Sequence, residues 1–144
     1  MSWIMVEPTP RWSVLIRRFS EGVTISEARS LALADDLLRA QPLDRAAFIA
    51  VAATPAGSTS TLLRLAQWQR EYPYVASAVL LDEPNCELEL GFREAGAQLV
   101  IASLFELPLV IDMAKRHLAG TEPTRPDWQN AITARLPWAS ARQP

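Results

Sequence analysis

The sequence predicts a three-layer, doubly wound α/β fold in which five parallel strands, in the order 2-1-3-4-5, are covered by helices on both faces. Two observations predict it. Apolar runs of strand length recur five times along the 144 residues, and a segment with helical spacing follows each run. Strands joined by helical crossovers run parallel, and right-handed crossovers place helices on both faces of one sheet. With five strands, 2-1-3-4-5 is the expected order.

The predicted strands are rich in Val, Ile, Leu and Ala, as expected for strands that are buried on both faces. The second strand alternates between apolar and polar residues, which is typical of a sheet edge. The five strands are WIMV at 3–6, VTISEA at 23–28, AAFIAVA at 46–52, SAVLL at 77–81 and QLVIA at 98–102.

Each predicted helix is bounded by residues that commonly begin or end helices. Pro10 opens the first helix and Gly22 ends it, and the second runs from Ser30 as its N-cap to a stop before Pro42. The third follows the Ser and Thr cluster at 58–61 and ends at Pro73, the fourth has Pro84 in its first turn and Gly96 at its end, and the fifth begins near Glu106 or Pro108 and closes at Gly120.

Composition excludes several classes of function. Fourteen Lys and Arg stand against sixteen Asp and Glu, with no basic stripe, so we expect no nucleic-acid partner. The longest apolar stretches are shorter than the roughly 20 residues of a membrane span. The first residues, MSWIMVEPTP, lack the basic start and apolar core of a signal peptide, so we expect none. Cys86 is the one cysteine, and no spacing suits a zinc site. We expect a cytoplasmic domain without a metal or other cofactor.

The domain is expected to span residues 1–120, followed by a Pro-rich tail at 121–144. Within the tail, DWQNAITARL has the spacing of a short helix, with Asp127 as N-cap and Trp128, Ile132 and Leu136 along one side. The simpler interpretation is a tail that folds back over an exposed part of the core. The other is a docking segment for a partner, in which Trp128 and Trp138 would supply contact surface.

Two segments resemble the receiver domain of bacterial two-component response regulators. One is ELELGFREAGAQLVIASLFELPLVIDMAKRHLAG at 87–120, and the other is IMVEPTP followed by WSVLIRRF near the start of the chain. The likeness covers about residues 2–120, and the corner REAGA is its most characteristic part. The resemblance therefore implies a receiver fold, which is flavodoxin-like, and a place in signal transduction.

Receivers of that family, as the resemblance implies, accept a phosphoryl group from a histidine kinase on an aspartate that ends the third strand. Two acidic residues after the first strand help to hold Mg²⁺, a Thr or Ser ends the fourth strand, and a Lys ends the fifth. In this sequence the acidic pair falls on Glu7 and Pro8, the acceptor on Val51, the Thr or Ser on Leu81, the Lys on Ser103, and an aromatic switch residue on Val100.

These positions predict that the phosphoryl chemistry has been lost. Val51 cannot form an acyl phosphate, and Mg²⁺ prefers several oxygen ligands. Residues 46–65 contain no Asp or Glu, so a small alignment error does not restore an acceptor. We therefore expect a non-enzymatic pseudo-receiver that acts as a protein-interaction module independently of phosphorylation.

The resemblance also implies a surface for this interaction. In the family, the face made by the fourth helix, fifth strand and fifth helix commonly carries dimer or partner contacts. Here that face offers Glu89, Arg93 and Arg116. We expect a second copy of the chain, forming a homodimer, or a signalling partner to bind this surface.

A competing hypothesis is a flavodoxin-like domain that binds a small ligand or an anion, with or without enzymatic activity, through loops around Glu7, Ser58 and Asp82. The segment TPAGSTST precedes a helix, so the N–H groups of Gly57, Ser58 and Thr59 could form a weak anion site, although a capped turn also explains it. Asp82 and Glu83 are expected to cap the fourth helix, and His117 is expected to be structural or exposed.

Overall fold

The sheet has the predicted order and direction. In the computed structural model, which describes residues 2–42 and 44–120, five parallel strands pair in the order β2-β1-β3-β4-β5. They are β1 (Ser2–Val6), β2 (Ile25–Ala28), β3 (Ala47–Ala53), β4 (Val75–Leu81) and β5 (Leu99–Ile101). The prediction of an α/β, flavodoxin-like receiver fold is confirmed.

Helices connect consecutive strands, and a further helix follows β5. They are α1 (Trp12–Phe19), α2 (Leu31–Arg39), α3 (Ser58–Glu71), α4 (Cys86–Glu94) and α5 (Leu107–Ala119), with a short 3-10 turn at Leu104–Glu106 before α5. Ser30 is the N-cap of α2, as predicted, because its side chain accepts a hydrogen bond from the N–H of Leu33. No helix within residues 2–42 and 44–120 is long and apolar enough to cross a bilayer.

The sheet separates two apolar clusters, because successive side chains of a strand point to opposite faces. On β3, Phe48 and Ala50 contribute to the cluster beneath α1 and α5, whereas Ile49 and Val51 contribute to the cluster beneath α2, α3 and α4. Trp3 is fully buried in the first cluster, with its ring 5.5 Å from that of Phe48 in an edge-to-face arrangement. Trp12 and Trp68 are also buried, at 3% and 2% exposure, one in each cluster.

A buried carboxylate connects two helices on the second face. Asp35 of α2 is 7% exposed and accepts a hydrogen bond of 2.6 Å from the indole N–H of Trp68 on α3. The guanidinium of Arg64, also on α3, pairs with the same carboxylate. Because a buried charge is tolerated only with such partners, these two contacts satisfy Asp35 and connect α2 to α3.

The corner REAGA turns the chain from α4 into β5. Gly96 has φ +110°, a conformation that side chains rarely adopt, and a Cβ atom there would lie 2.8 Å from Oε1 of Gln69. The N–H of Ala97 donates to the carbonyl of Phe92 over 2.9 Å, which closes the end of the helix. Glycine is therefore required at this corner for backbone reasons.

Candidate functional site

The carboxyl ends of the strands bring three loops to one edge of the sheet. Open parallel sheets normally place ligands and chemistry at this edge. The central strands are in register there, with Val6 of β1 beside Val51 of β3, and Val51 beside Val79 of β4. This edge is therefore where a phosphoryl-accepting site is expected.

A buried apolar side chain occupies the position predicted for the acceptor. Val51 is 1% exposed and belongs to the apolar cluster beneath α2, α3 and α4. Leu81, which takes the Thr or Ser position, is 3% exposed in the same cluster. Neither side chain offers an oxygen, so neither position can bond to phosphorus.

Glu7 follows β1, and its carboxylate is engaged by the first turn of α1. The side chain is 1% exposed; Oε2 accepts the N–H of Trp12 over 3.0 Å, and Oε1 accepts the N–H of Ser13 over 2.9 Å. N–H groups in the first turn of a helix have no partner within the helix, and a negative charge there complements the helix dipole. Both oxygens of Glu7 therefore serve as a remote cap of α1, while the neighbouring Pro8 is exposed.

This capping role was missed in the sequence, where Glu7 was interpreted as the remaining member of a metal-binding pair. The signal was the short loop between the strand and the helix, which leaves a carboxylate at the end of β1 close to the first turn of α1. Within the part of the chain that the structure describes, no group of three or more His, Cys, Asp or Glu side chains could hold a metal ion.

An ion pair connects the loop after β1 to the loop after β4. Nη1 of Arg11 lies 2.5 Å from Oδ1 of Asp82, and both side chains are 57% exposed. Because β3 lies between these two strands, the pair spans a sheet distance of about 10 Å across the end of β3. Arg11 also lies over the ring of Trp12, with its guanidinium carbon 5.6 Å from the ring centroid. No spacing in the sequence indicates this bridge.

Asp82 and Glu83 do not cap α4, which corrects the prediction made for them. The N-cap is Asn85, whose Oδ1 accepts the N–H of Leu88 over 3.1 Å. Asp82 is engaged by Arg11 instead, and Glu83 is exposed. The helix consequently starts at Cys86, two residues later than the position of Pro84 suggested.

A small cavity lies between the loops that follow β3 and β4. Its volume is about 290 Å³, and Asp82 and Glu83 contribute its acidic side. The rest of the lining comes from Ala53, Pro55, Leu81, Pro84, Asn85 and Leu88. Its place at the strand ends makes this cavity the location that fits the small-ligand hypothesis.

The loop before α3 uses several of its polar groups internally. The N–H of Gly57 donates to Oγ1 of Thr54 over 3.2 Å, and the hydroxyl of Ser58 donates to the carbonyl of Pro55 over 2.9 Å. Thr59 is exposed in the first turn of the helix. These contacts lie within the turn itself, since Gly57 is the N-cap of α3 and no side chain caps the helix. The weak anion site at Gly57, Ser58 and Thr59 stays a prediction.

The position of the family lysine is also occupied by a capping group. The hydroxyl oxygen of Ser103 accepts the N–H of Phe105 over 3.2 Å at the start of the 3-10 turn. Val100, at the position of the aromatic switch, is 5% exposed. Ser103 therefore supplies no cation at the position of the lysine, and Val100 supplies no aromatic ring at the position of the switch residue.

The face formed by α4, β5 and α5 carries both charged and apolar side chains. Glu89 and Arg93 pair with each other over 3.0 Å along α4, so these two charges are partly satisfied within the helix. Leu90 and Leu109 are 59% and 55% exposed on α4 and α5. Arg116 borders a depression of about 520 Å³, together with Gln98, Leu99, Leu109, Asp112, Met113 and His117.

Two further predictions concern the end of the chain. The imidazole Nε2 of His117 lies 3.0 Å from the carbonyl oxygen of Tyr74, which is consistent with the structural role expected for it. Trp128, Trp138 and the predicted short helix lie outside the described residues, as does the boundary between the tail and the domain.

Comparison with known proteins shows the fold. No family model matches the sequence, and no curated protein matches it. Among solved structures, the chain is similar to an atypical orphan response regulator with a phosphorylation-independent regulatory mechanism (TM-score 0.66, 16% identity, 83% of this chain and 96% of that one). It is equally similar to a response regulator from Thermotoga maritima (TM-score 0.66, 19% identity, 82% and 97%).

A third similar structure comes from Burkholderia thailandensis and is assigned to a pilus assembly protein, CpaE (TM-score 0.63, 17% identity, 83% of this chain and 98% of that one). At these identities the likeness shows a shared receiver fold. Function is carried by the site rather than by the scaffold.

Proposed function

We propose that this protein is a phosphorylation-independent pseudo-receiver, a non-enzymatic protein-interaction module of bacterial signalling. The observation that carries the proposal is the burial of Val51 between Val6 and Val79, where a phosphoryl acceptor would have to stand. Covalent phosphoryl transfer needs a nucleophile, and an aliphatic side chain cannot replace it.

The groups around Val51 support the same interpretation. A receiver site also needs carboxylates that are free to bind Mg²⁺. Here both oxygens of Glu7 are bound to helix N–H groups, and Asp82 is paired with Arg11. Glu7 and Asp82 are thus each committed to a structural partner.

A similar protein offers a precedent for signalling without phosphorylation. One of the structures with the same fold is described as an atypical orphan response regulator with a phosphorylation-independent regulatory mechanism. We extend that kind of regulation to this chain because its own site residues offer no phosphoryl acceptor.

The proposed partner surface is the face formed by α4, β5 and α5. It combines the exposed apolar side chains Leu90 and Leu109 with the charged residues Glu89, Arg93 and Arg116. Apolar anchors surrounded by charges are typical of protein interfaces. A second copy of the chain or a signalling protein is the proposed occupant.

The proposal is tested by offering the protein a phosphoryl donor. The full chain is incubated with acetyl phosphate and Mg²⁺, and separately with beryllofluoride and Mg²⁺, beside a phosphorylatable receiver as positive control. We expect no increase in intact mass and no change in melting temperature. A covalent phosphoryl adduct, or stabilisation that requires both beryllofluoride and Mg²⁺, contradicts the proposal.

The competing proposal is a flavodoxin-like small-ligand domain, and the cavity of about 290 Å³ beside Asp82 and Glu83 is its best location. Native mass spectrometry of the purified chain distinguishes the two. A stoichiometric bound metabolite that is lost on unfolding favours the ligand-binding function, whereas a ligand-free mass favours the pseudo-receiver.

A further inference from the structure

An apolar groove runs along α5 on the face of the sheet that is covered by α1 and α5. Its volume is about 430 Å³. Three of its side chains are largely exposed: Phe105 at 95%, Phe19 at 66% and Leu104 at 48%. The remaining lining residues are Leu107, Pro108, Ile111, Asp112 and Lys115. Large apolar side chains exposed together mark a surface that binds another segment, a partner or a ligand.

A second depression continues this groove toward the end of α5. It measures about 520 Å³, and Lys115 lines both cavities. Its other lining residues are Gly22, Val23, Thr24, Leu118 and Ala119. The two cavities therefore adjoin at Lys115, and together they extend from the last turn of α5 to the exposed ring of Phe105.

The chain that follows α5 is long enough to cover these two cavities. A helix rises 1.5 Å per residue, so the fifteen positions from Phe105 to Gly120 correspond to about 22 Å. An extended segment covers roughly 3.3 Å per residue, so positions 121–127 span up to about 23 Å. Trp128 can thus reach any point between Gly120 and Phe105 if the chain reverses direction after α5.

The same segment has complementary side chains. Trp128, Ile132 and Leu136 recur every four residues, a spacing that gives one apolar stripe on a helix. Residues 121–138 carry two acids, Glu122 and Asp127, and two bases, Arg125 and Arg135. The groove carries one of each, Asp112 and Lys115. No excess of like charge opposes the contact.

We propose that residues 121–138 fold back antiparallel to α5 and that the stripe formed by Trp128, Ile132 and Leu136 packs against Phe19, Leu104 and Phe105. The attachment is intramolecular, so the effective concentration of the segment at the groove is in the millimolar range or above. This favours the chain's own tail over a second copy. In this arrangement the tail covers the side of α1 and α5 and leaves the face of α4, β5 and α5 available. The docking of the tail does not depend on whether the domain is phosphorylated.

Hydrogen exchange of the full chain, followed by mass spectrometry, tests the proposal. We expect protected amides within 127–136, and we expect Phe105→Asp to reduce that protection by about tenfold or more, because a charge in the groove favours local opening of the docked segment. Phe105 is exposed, so the substitution leaves the core intact. Leu63→Asp is the matched control: Leu63 is 69% exposed on α3, on the other face of the sheet, and its replacement should leave the tail protected.

Three results overturn the proposal. The first is exchange of 127–136 at the rate of an unstructured peptide in the unmodified chain. The second is protection that Phe105→Asp does not change. The third is protection that disappears on dilution, which would assign the groove to a second copy of the chain.

Discussion

The carboxylate of Glu7 accepts the backbone N–H of Trp12 over 3.0 Å, at the point in the sheet where a receiver would bind its metal ion. The second oxygen accepts the N–H of Ser13. A side chain that the family pattern associates with catalysis is therefore used here to begin a helix. The two hydrogen bonds stabilise the start of α1 and occupy both oxygens of the carboxylate.

Replacing Glu7 by alanine should destabilise the fold by about 2 kcal/mol, since it removes a helix cap and leaves two buried N–H groups without an acceptor. Urea denaturation followed by circular dichroism measures this change. Glu83→Ala is the control, because Glu83 is exposed, and it should stay within about 0.5 kcal/mol of the unmodified chain. A Glu7→Ala variant as stable as the control would show that the cap contributes nothing.

The burial of Val51 can be tested by an almost isosteric change. Val51→Thr places a hydroxyl in the apolar cluster beneath α2, α3 and α4, and we expect a loss of roughly 1–3 kcal/mol in the free energy of unfolding. If the position opened to solvent, as an acceptor site must, the cost would be near zero. Val14→Thr, at a position that is 56% exposed on α1, controls for the intrinsic difference between the two side chains.

The fold was predictable because it depends on patterns that are local in sequence. Continuous apolar strands and capped helices define a parallel α/β sheet, and Ser30 and Gly96 lie where their backbone roles require. The boundaries that differed depend on single side chains. The helix α4 begins at Cys86, after Pro84, because the amide oxygen of Asn85 accepts the N–H of Leu88 and makes Asn85 the N-cap.

The candidate site was predictable only in what it lacks. The absence of an acid from residues 46–65 can be read directly from the sequence. The partners of the acids that are present cannot, since Arg11 and Asp82 are 71 residues apart and meet only when β1 and β4 are placed on either side of β3. Long-range ion pairs of this kind follow from topology rather than from spacing.

The bridge between Arg11 and Asp82 should contribute little to stability. Both side chains are more than half exposed, and exposed pairs typically contribute about 0.2–1 kcal/mol. A double-mutant cycle with Arg11→Ala and Asp82→Ala, measured by urea denaturation, should give a coupling in the lower part of that range, and added salt should reduce it further. A coupling that is large and insensitive to salt would mean that the pair is shielded from water and closes the strand end more tightly than its exposure indicates.

The final prediction concerns self-association through the face of α4, β5 and α5. Leu109 is 55% exposed on α5 and borders the depression that contains Leu99 and Met113, so Leu109→Asp places a charge at the centre of the proposed interface. We expect the dissociation constant of a homodimer, measured by sedimentation equilibrium, to rise by about tenfold or more, as for a central apolar anchor. Leu33→Asp adds the same charge on α2, away from this face, and should leave association unchanged.

If the unmodified chain sediments as a monomer at every concentration, the homodimer is excluded and the face is left to a different protein. If Leu33→Asp and Leu109→Asp weaken a dimer equally, then general charge repulsion explains the loss, and the interface lies elsewhere.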